Sequence, residues 1–283
     1  MPPIEPTLLL KDIDLVFVDV ETTGLYPAYG DRIVELGALK VRDGREVDSF
    51  CSLLDPQRPI SPGASAVNGI TDEMVRGQAT FGEVAHSFLS FVEGAILIAH
   101  NAPFDLGFLS MELRGAGLPL LRNQVVDTLQ IARRYFRFGS NSLDFLAEYF
   151  GLETPEAHRA LGDCRTTFQV FQRMFARLFA DGAPTVGVFL DRVSGWSVQG
   201  DQTDPLNLLP LSLRGPVKRR ETLIIDYIDA SGNKTTRKIQ LKEVTAMRDY
   251  VYLVAYCYAR EAERTFRLDR ILSWEKVAEE KGH

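Results

Sequence analysis

The sequence predicts a mixed α/β sheet flanked by helices, followed by a small all-β domain. Three observations predict it. An apolar run at residues 14–20, DLVFVDV, precedes two further strand-like segments, 32–41 and 45–54, joined by the turn Arg42-Asp43-Gly44-Arg45. Helical and strand-like segments then alternate as far as Phe179. Beyond residue 220 the pattern changes to alternation rich in β-branched and aromatic residues. A length of 283 residues suits two domains. With 45% hydrophobic and 25% charged residues, the chain can bury a core without staples.

The elements follow in order. After the third strand, Pro59, Pro62, Gly63 and Gly69 mark a loop. Residues 80–93 set Phe81, Val84, Phe88, Leu89 and Val92 at helical spacing. Residues 95–99 form a short apolar strand, and Pro103 suits the first turn of a helix reaching about Gly115. Residues 124–127 make a short strand, 128–136 a helix, and 140–150 a helix that Gly151 stops. A long helix from about Ala160 to Phe179 carries Phe168, Phe171, Phe175 and Phe179 on its apolar side. Residues 181–215 scatter Gly, Pro, Asp and Ser and read as a linker between domains at 1–180 and 216–283. In the second domain, 221–229, 235–241, 250–259 and 264–268 read as strands.

Composition narrows the function classes. Cys51, Cys164 and Cys257 are odd in number and lack metal-ligand spacing, so free thiols in a reducing, cytoplasmic compartment are expected. The first fourteen residues lack a secretory pattern, and no stretch approaches the roughly eighteen apolar residues of a membrane span. The net charge of −6 is unevenly spread: residues 216–283 carry 14 Lys+Arg against 11 Asp+Glu, and the rest 18 against 27. An acidic first part suits carboxylates that hold divalent cations, or is simply an acidic surface.

Asp19 and Glu21 lie two apart at a strand end, so both side chains share one face while Val16, Val18 and Val20 take the other. Two neighbouring carboxylates repel, and hard divalent cations would offset that; alone, the pair also suits solvated acids. The next residues, Thr22-Thr23-Gly24-Leu25, make a glycine turn beside the pair, with Leu25 either a wedge against a base or core. In His100-Asn101-Ala102-Pro103-Phe104-Asp105, Asp105 sits in a first helical turn that favours an anion. There Phe104 offers a stacking face, and His100 and Asn101 offer phosphate or sugar contacts. Five residues of continuous helix would set His158 and Asp163 about 140° apart. His158 is therefore expected on the loop entering a helix, with Asp163 in its first turns.

Together DVETTGL, AHNAPFD and His158-x4-Asp163, in this order, resemble the three motifs of the DEDDh 3′→5′ exonuclease superfamily, with the epsilon proofreading subunits of bacterial replicative polymerases the nearest in kind. Asp127-Thr128-Leu129 and Ser142-Leu143 support the match, which covers about residues 12–180. The resemblance implies a ribonuclease-H-like fold and two Mg²⁺ or Mn²⁺ ions. Asp19 would be shared by both ions, with Glu21 and Asp163 on the first and Asp105 supporting the second through water. His158 would be the general base, and Thr22, Thr23, Leu25, His100, Asn101 and Phe104 would contact substrate. It implies release of 5′-nucleoside monophosphates from single-stranded or mismatched DNA 3′ ends, and a polymerase or replication and repair partner. RNA as substrate, or a nucleic-acid-binding regulator with a vestigial nuclease, stay open.

The second domain carries Ile225-Asp226-Tyr227, residues 252–257 (YLVAYC) and residues 264–271 (RTFRLDRI), which resemble a WYL domain with Val251 in place of the eponymous tryptophan. The resemblance implies a small Sm-like or SH3-like barrel that binds regulatory ligands. Arg264, Arg267 and Arg270 are candidate phosphate contacts. Their spacing of three needs a bend or bulge before they can converge. Gln202 and residues 206–211, LNLLPL, faintly resemble a sliding-clamp-binding peptide.

Overall fold

The structure is a computed structural model that describes residues 4–25, 27, 30–180, 182–193, 196–197, 209, 211–229, 233–247 and 250–277. Strands β1 (Leu15–Thr22), β2 (Ile33–Arg42) and β3 (Arg45–Leu53) form an antiparallel meander. Two short helices follow where the sequence suggests only loop, α1 (Pro62–Asn68) and α2 (Asp72–Val75). Pro62 opens α1, Ser61 caps it by accepting from the Ala64 N–H, and Gly69 closes it in a left-handed conformation. Helix α3 (Phe81–Phe91) starts on a capping box between Thr80 and Glu83.

Strand β4 (Ile96–Ala99), helix α4 (Ala102–Gly115), strand β5 (Gln124–Asp127), helices α5 (Thr128–Tyr135) and α6 (Leu143–Tyr149), and the long α7 (Ala160–Leu178) complete the alternation. The sheet order is β3-β2-β1-β4-β5-β6, where β6 is the dipeptide Trp196–Ser197. Strands β4 and β5 run parallel to β1, and β6 pairs antiparallel with β5.

Two cores lie on the two faces of this sheet. Val16, Val18 and Val20 join Phe88, Leu106, Phe108 and Leu109 on the side of α3 and α4. Leu15 and Phe17 join Val170, Phe171, Met174 and Phe189 on the side of α7. The period of two along β1 therefore sends Asp19 and Glu21 toward α7, the face opposite the valines.

Residues 181–215 are not simply an irregular linker. Helix α8 (Val186–Val193) packs Val186, Phe189 and Val193 into the α7-side core, and the Tyr135 hydroxyl donates to the Arg192 carbonyl. Val186, Phe189 and Val193 lie three and four apart, an apolar stripe that glycine and proline on either side obscure. Helix α9 (Leu211–Lys218) adds Leu213 and Val217 to the second domain's core, and Leu209 is fully buried there as well. Most of the clamp-like segment lies outside the described residues, and Leu209 is committed to that core.

The second domain holds β7 (Thr222–Ile228), β8 (Lys234–Met247), β9 (Tyr250–Cys257), β10 (Ala262–Arg267) and β11 (Ile271–Lys276). Their order, β10-β9-β8-β7-β11, is an all-β five-stranded sheet. The expected closed barrel is not formed by the described pairings, since β10 and β11 stand at opposite edges. Strand β8 runs to Met247, past the expected end at 241, and carries an irregularity between Leu241 and Glu243. Such an irregularity lets one long strand bend and serve two partners. A 3₁₀ turn, Leu268–Arg270, and β11 pack on α5 and join the sheet to the first domain. No helix among the described residues is long and apolar enough to cross a membrane.

Candidate active site

Strand β1 leaves its neighbour β4 at Phe17–Ile98, the last pair in their parallel register. Beyond that point the edge of β1 facing β4 is open, and α4 fills the gap. The Asp105 carboxylate, in the first turn of α4, accepts the Val20 N–H at 3.1 Å. Asp105 is only 3% exposed, so this bond serves a backbone donor that would otherwise be orphaned.

The other wall is the start of α7. Residue 37, opposite Asp19 in the β1–β2 register, is glycine. A Cβ there would lie 2.5 Å from the Ala160 carbonyl carbon and 2.6 Å from the Leu161 nitrogen. The missing side chain lets the end of α7 rest directly on the sheet. Gly162 does the same for the preceding turn, where a Cβ would meet the Glu156 carbonyl oxygen at 2.0 Å. Glu35, 1% exposed on β2, then fixes the helix. Its carboxylate accepts from Arg159 Nε at 3.0 Å, from Arg159 Nη2 at 2.5 Å and from the Ala160 N–H at 2.9 Å. Arg159 offers no side-chain cap of its own, so a carboxylate from the sheet does the capping.

These constraints bring Asp163, in the first turn of α7, over Asp19 and Glu21. Oxygens of the three carboxylates lie within 4.8 Å of one another, and each side chain is half-buried. Asp105 stands outside that trio, yet its charge acts on Asp19. Burial, then the charges of Asp105, Asp163 and Glu21, push the Asp19 carboxyl well above the usual range. Burial and Asp163 raise Glu21 to about 7, opposed by a hydrogen bond from Asn68. Burial raises Asp163 to about 6, against the pull of His158's charge and backbone N–H. Closely held, desolvated acids that form no ion pair among the described residues fit hard divalent metal ions, whose charge would stabilise their ionised forms.

His158 lies exposed on the turn before α7, with Asp163 in the helix itself. Its φ of 60° is left-handed, as is the 72° of Asn101 at the start of α4. Non-glycine residues seldom adopt this region, and both instances occur where a helix enters the site.

The remaining expected contacts divide. Leu25 is 53% exposed, as a wedge would be, and Phe104 is half-buried against Phe108 at 5.1 Å between ring centroids. Thr22 and Thr23 are buried and hold the turn: Thr22 Oγ1 donates to the Gly24 carbonyl at 2.6 Å, and Thr23 Oγ1 donates to Asp31 at 3.1 Å. Both ring nitrogens of His100 are occupied, by Thr128 Oγ1 and the Asn141 carbonyl at 2.9 Å each, and burial lowers its pKa to about 4. The Asn101 N–H donates to Asp127, which also caps α5 and which burial raises to about 6. Arg264 is exposed on β10, whereas Arg267 ends that strand and Arg270 lies in the 3₁₀ turn, both half-buried. The 3₁₀ turn interrupts the extended chain between Arg267 and Arg270.

Sequence reasoning missed Glu35, Arg159 and Asn68. Glu35 was hidden in an apolar strand pattern, IVELGALKV, where a single acid among aliphatics was the available signal.

Comparison with known proteins agrees with this geometry. Residues 16–171 match the family model described as Exonuclease, and residues 211–276 match that of the WYL domain. Over 191 residues the chain is 40% identical to a DNA polymerase III subunit epsilon-like protein of Rhodobacter capsulatus, covering 65% of this chain and 27% of that one. Over 164 residues it is 43% identical to a PolC-type DNA polymerase III of Thermotoga petrophila, covering 58% and 12%. The chain thus spans about a quarter or less of these relatives. Exonuclease I of E. coli, solved with a dA16 oligonucleotide, is similar in fold, with a TM-score of 0.61 and 18% identity over 87% of this chain and 55% of that one. That share exceeds what the first domain alone can supply. With more than half of its length matched, and with the three acid-bearing segments converging inside the matched part, the chain belongs to the exonuclease family.

Proposed function

We propose that the chain is a divalent-metal-dependent 3′→5′ exonuclease acting on single-stranded or mismatched DNA ends. The observation that carries this reading is the convergence of Asp19, Glu21 and Asp163, with His158 on the adjoining turn. Asp19, Glu21 and Asp163 would hold Mg²⁺ or Mn²⁺ directly, and Asp105 would orient the far side of the site. When bound, two such ions supply charge that stabilises the attacking and leaving oxygens and acidify a water at neutral pH. His158 accepts the proton of the attacking water, from a turn that can move without shifting Asp163. Leu25 and Phe104 hold the terminal base, and the product is a 5′-nucleoside monophosphate.

We further propose two functional units. The nuclease occupies residues 1–180, with α8 added to its core, and the WYL-like domain occupies 216–283 and guides or senses nucleic acid through Arg264, Arg267 and Arg270. The names of the sequence relatives support a replicative or repair polymerase as partner.

The test is hydrolysis of labelled single-stranded DNA, duplex DNA with a mismatched 3′ end, and RNA, each with Mg²⁺ and with chelator. Metal-dependent release of 5′-mononucleotides from DNA 3′ ends is expected. Preference for RNA would transfer the substrate to the exoribonuclease reading, and no hydrolysis of any strand would reject the enzyme.

A further inference from the structure

Beside the carboxylates, the segment from α5 through α6 builds an aromatic ridge that the proposed chemistry does not use. Phe138 lies 4.9 Å from Tyr149 and 5.2 Å from Phe136, between ring centroids, and Tyr149 stacks with Phe145 at 6.5 Å. Tyr149 is 54% exposed, although it is an aromatic with a full apolar face. Arginines flank the rings. Arg177 lies over Phe150 at 5.4 Å and over Phe136 at 6.0 Å, and Arg137 is exposed between Phe136 and Phe138. The exposed acids of α6 are Asp144 and Glu148, outnumbered by Arg133, Arg134, Arg137 and Arg177.

The position of the ridge gives it a direction. At one end the Asn141 carbonyl bonds His100, and the charge of Asp144 reaches Asp163. At the other end α5 packs on β11 and on the 3₁₀ turn that carries Arg270, with Arg134 5.9 Å over the Trp274 ring. The segment that carries the ridge thus touches the surroundings of the acid cluster through Asn141 and the C-terminal sheet through α5.

We propose that Phe138, Tyr149, Arg137 and Arg177 form a track for single-stranded DNA, stacking bases and pairing phosphates of the strand whose 3′ end occupies the carboxylate site. This rests on the exonuclease reading above. An exposed ring, Tyr149, seated on the half-buried Phe138 and flanked by cations suits a single strand, because every base has a π-face and every linkage a negative charge. A duplex would offer neither unstacked base to the rings.

The test is binding of a long labelled oligothymidylate by the full chain in chelator, where hydrolysis is silent, across a salt series. Tyr149→Ala should weaken binding roughly five- to a hundredfold, the usual worth of a base–aromatic stack. Tyr149→Phe should retain affinity. Arg137→Ala should flatten the salt slope by about 0.7, the value of one single-strand phosphate contact. Hydrolysis of the same strand by the wild-type chain in Mg²⁺ is read alongside, as the separate test of the exonuclease reading. Wild-type affinity and salt slope in Tyr149→Ala and Arg137→Ala would overturn the track, whatever the hydrolysis assay shows. A wild-type protein that binds the strand and loses affinity on Tyr149→Ala, yet hydrolyses no end, would uphold the track and reject the exonuclease reading.

Discussion

Two groups of acids in the first domain differ in how the fold treats them. Glu35 and Glu112 are 1% and 5% exposed and fully served: Glu35 by Arg159 and the Ala160 N–H, Glu112 by Arg32 at 2.7 and 2.8 Å and by the Ile33 N–H at 3.2 Å. Asp19, Glu21 and Asp163 lie close by, since Glu21 faces Glu35 in the strand register, but their carboxyls are pushed upward by burial and by one another. An acid with a fixed cation and a backbone N–H is structural. An acid held among other acids is a demand for positive charge from outside. The difference separates scaffold from site without reference to any motif.

Removing Asp19, the proposed shared ligand, should have the largest effect. Asp19→Asn should abolish metal-dependent hydrolysis while circular dichroism and melting temperature in chelator stay at or above wild type, because a repulsive charge is lost. A well-folded Asp19→Asn with near-normal turnover would erase the distinction between the two groups.

Next is His158→Ala, expected to lower kcat by roughly 10²–10⁴ fold with little change in strand affinity in chelator. Activity should be partly regained at higher pH, where hydroxide forms without a base. A wild-type rate would leave His158 as a surface residue of the turn.

On the structural side, Glu35→Gln should cost about 2 kcal/mol of stability, the scale of a charge-assisted hydrogen bond discounted for the 43% exposure of Arg159. Its melting temperature should fall in chelator, the opposite sign to Asp19→Asn. Equal shifts in the two variants would mean that both acids play the same part.

The mildest effect is on the pH dependence of stability without metal. Glu21, Asp163 and Asp127 keep their protons to about 7, 6 and 6 in the folded chain, above the usual carboxyl values near 4. Between about pH 4 and pH 7 the folded state therefore binds more protons than the unfolded state, and stability falls as pH rises through that window. The melting temperature in chelator should be lower at pH 8 than at pH 5, and Mg²⁺ should restore it at pH 8. A rising or flat profile would show that the acids are not strained.

The parts of this arrangement that were legible in the sequence share a property: their meaning is local. Asp19 and Glu21 were readable because a strand alternates, and His158 because five helical residues cannot bring it and Asp163 to one site. The parts that were not legible depend on partners far along the chain. Glu35 meets Arg159 across 124 positions, and Gly37 matters only because α7 lands on it. The threonines of the DVETTGL turn suggested substrate contacts, but their hydroxyls turn inward to the loop. In the C-terminal domain the alternation gave strands, whereas their pairing, the continuation of β8 and the extra strand β11 are set by long-range register.

The central claim is that the strained acids, not the served ones, receive the metal. The most direct measurement is a calorimetric titration of Mn²⁺ into wild type, Asp19→Asn and Glu35→Gln near pH 7. Wild type should bind Mn²⁺ with release of protons, Glu35→Gln should still bind, and Asp19→Asn should lose most of its affinity. Unchanged Mn²⁺ binding by Asp19→Asn would contradict the account.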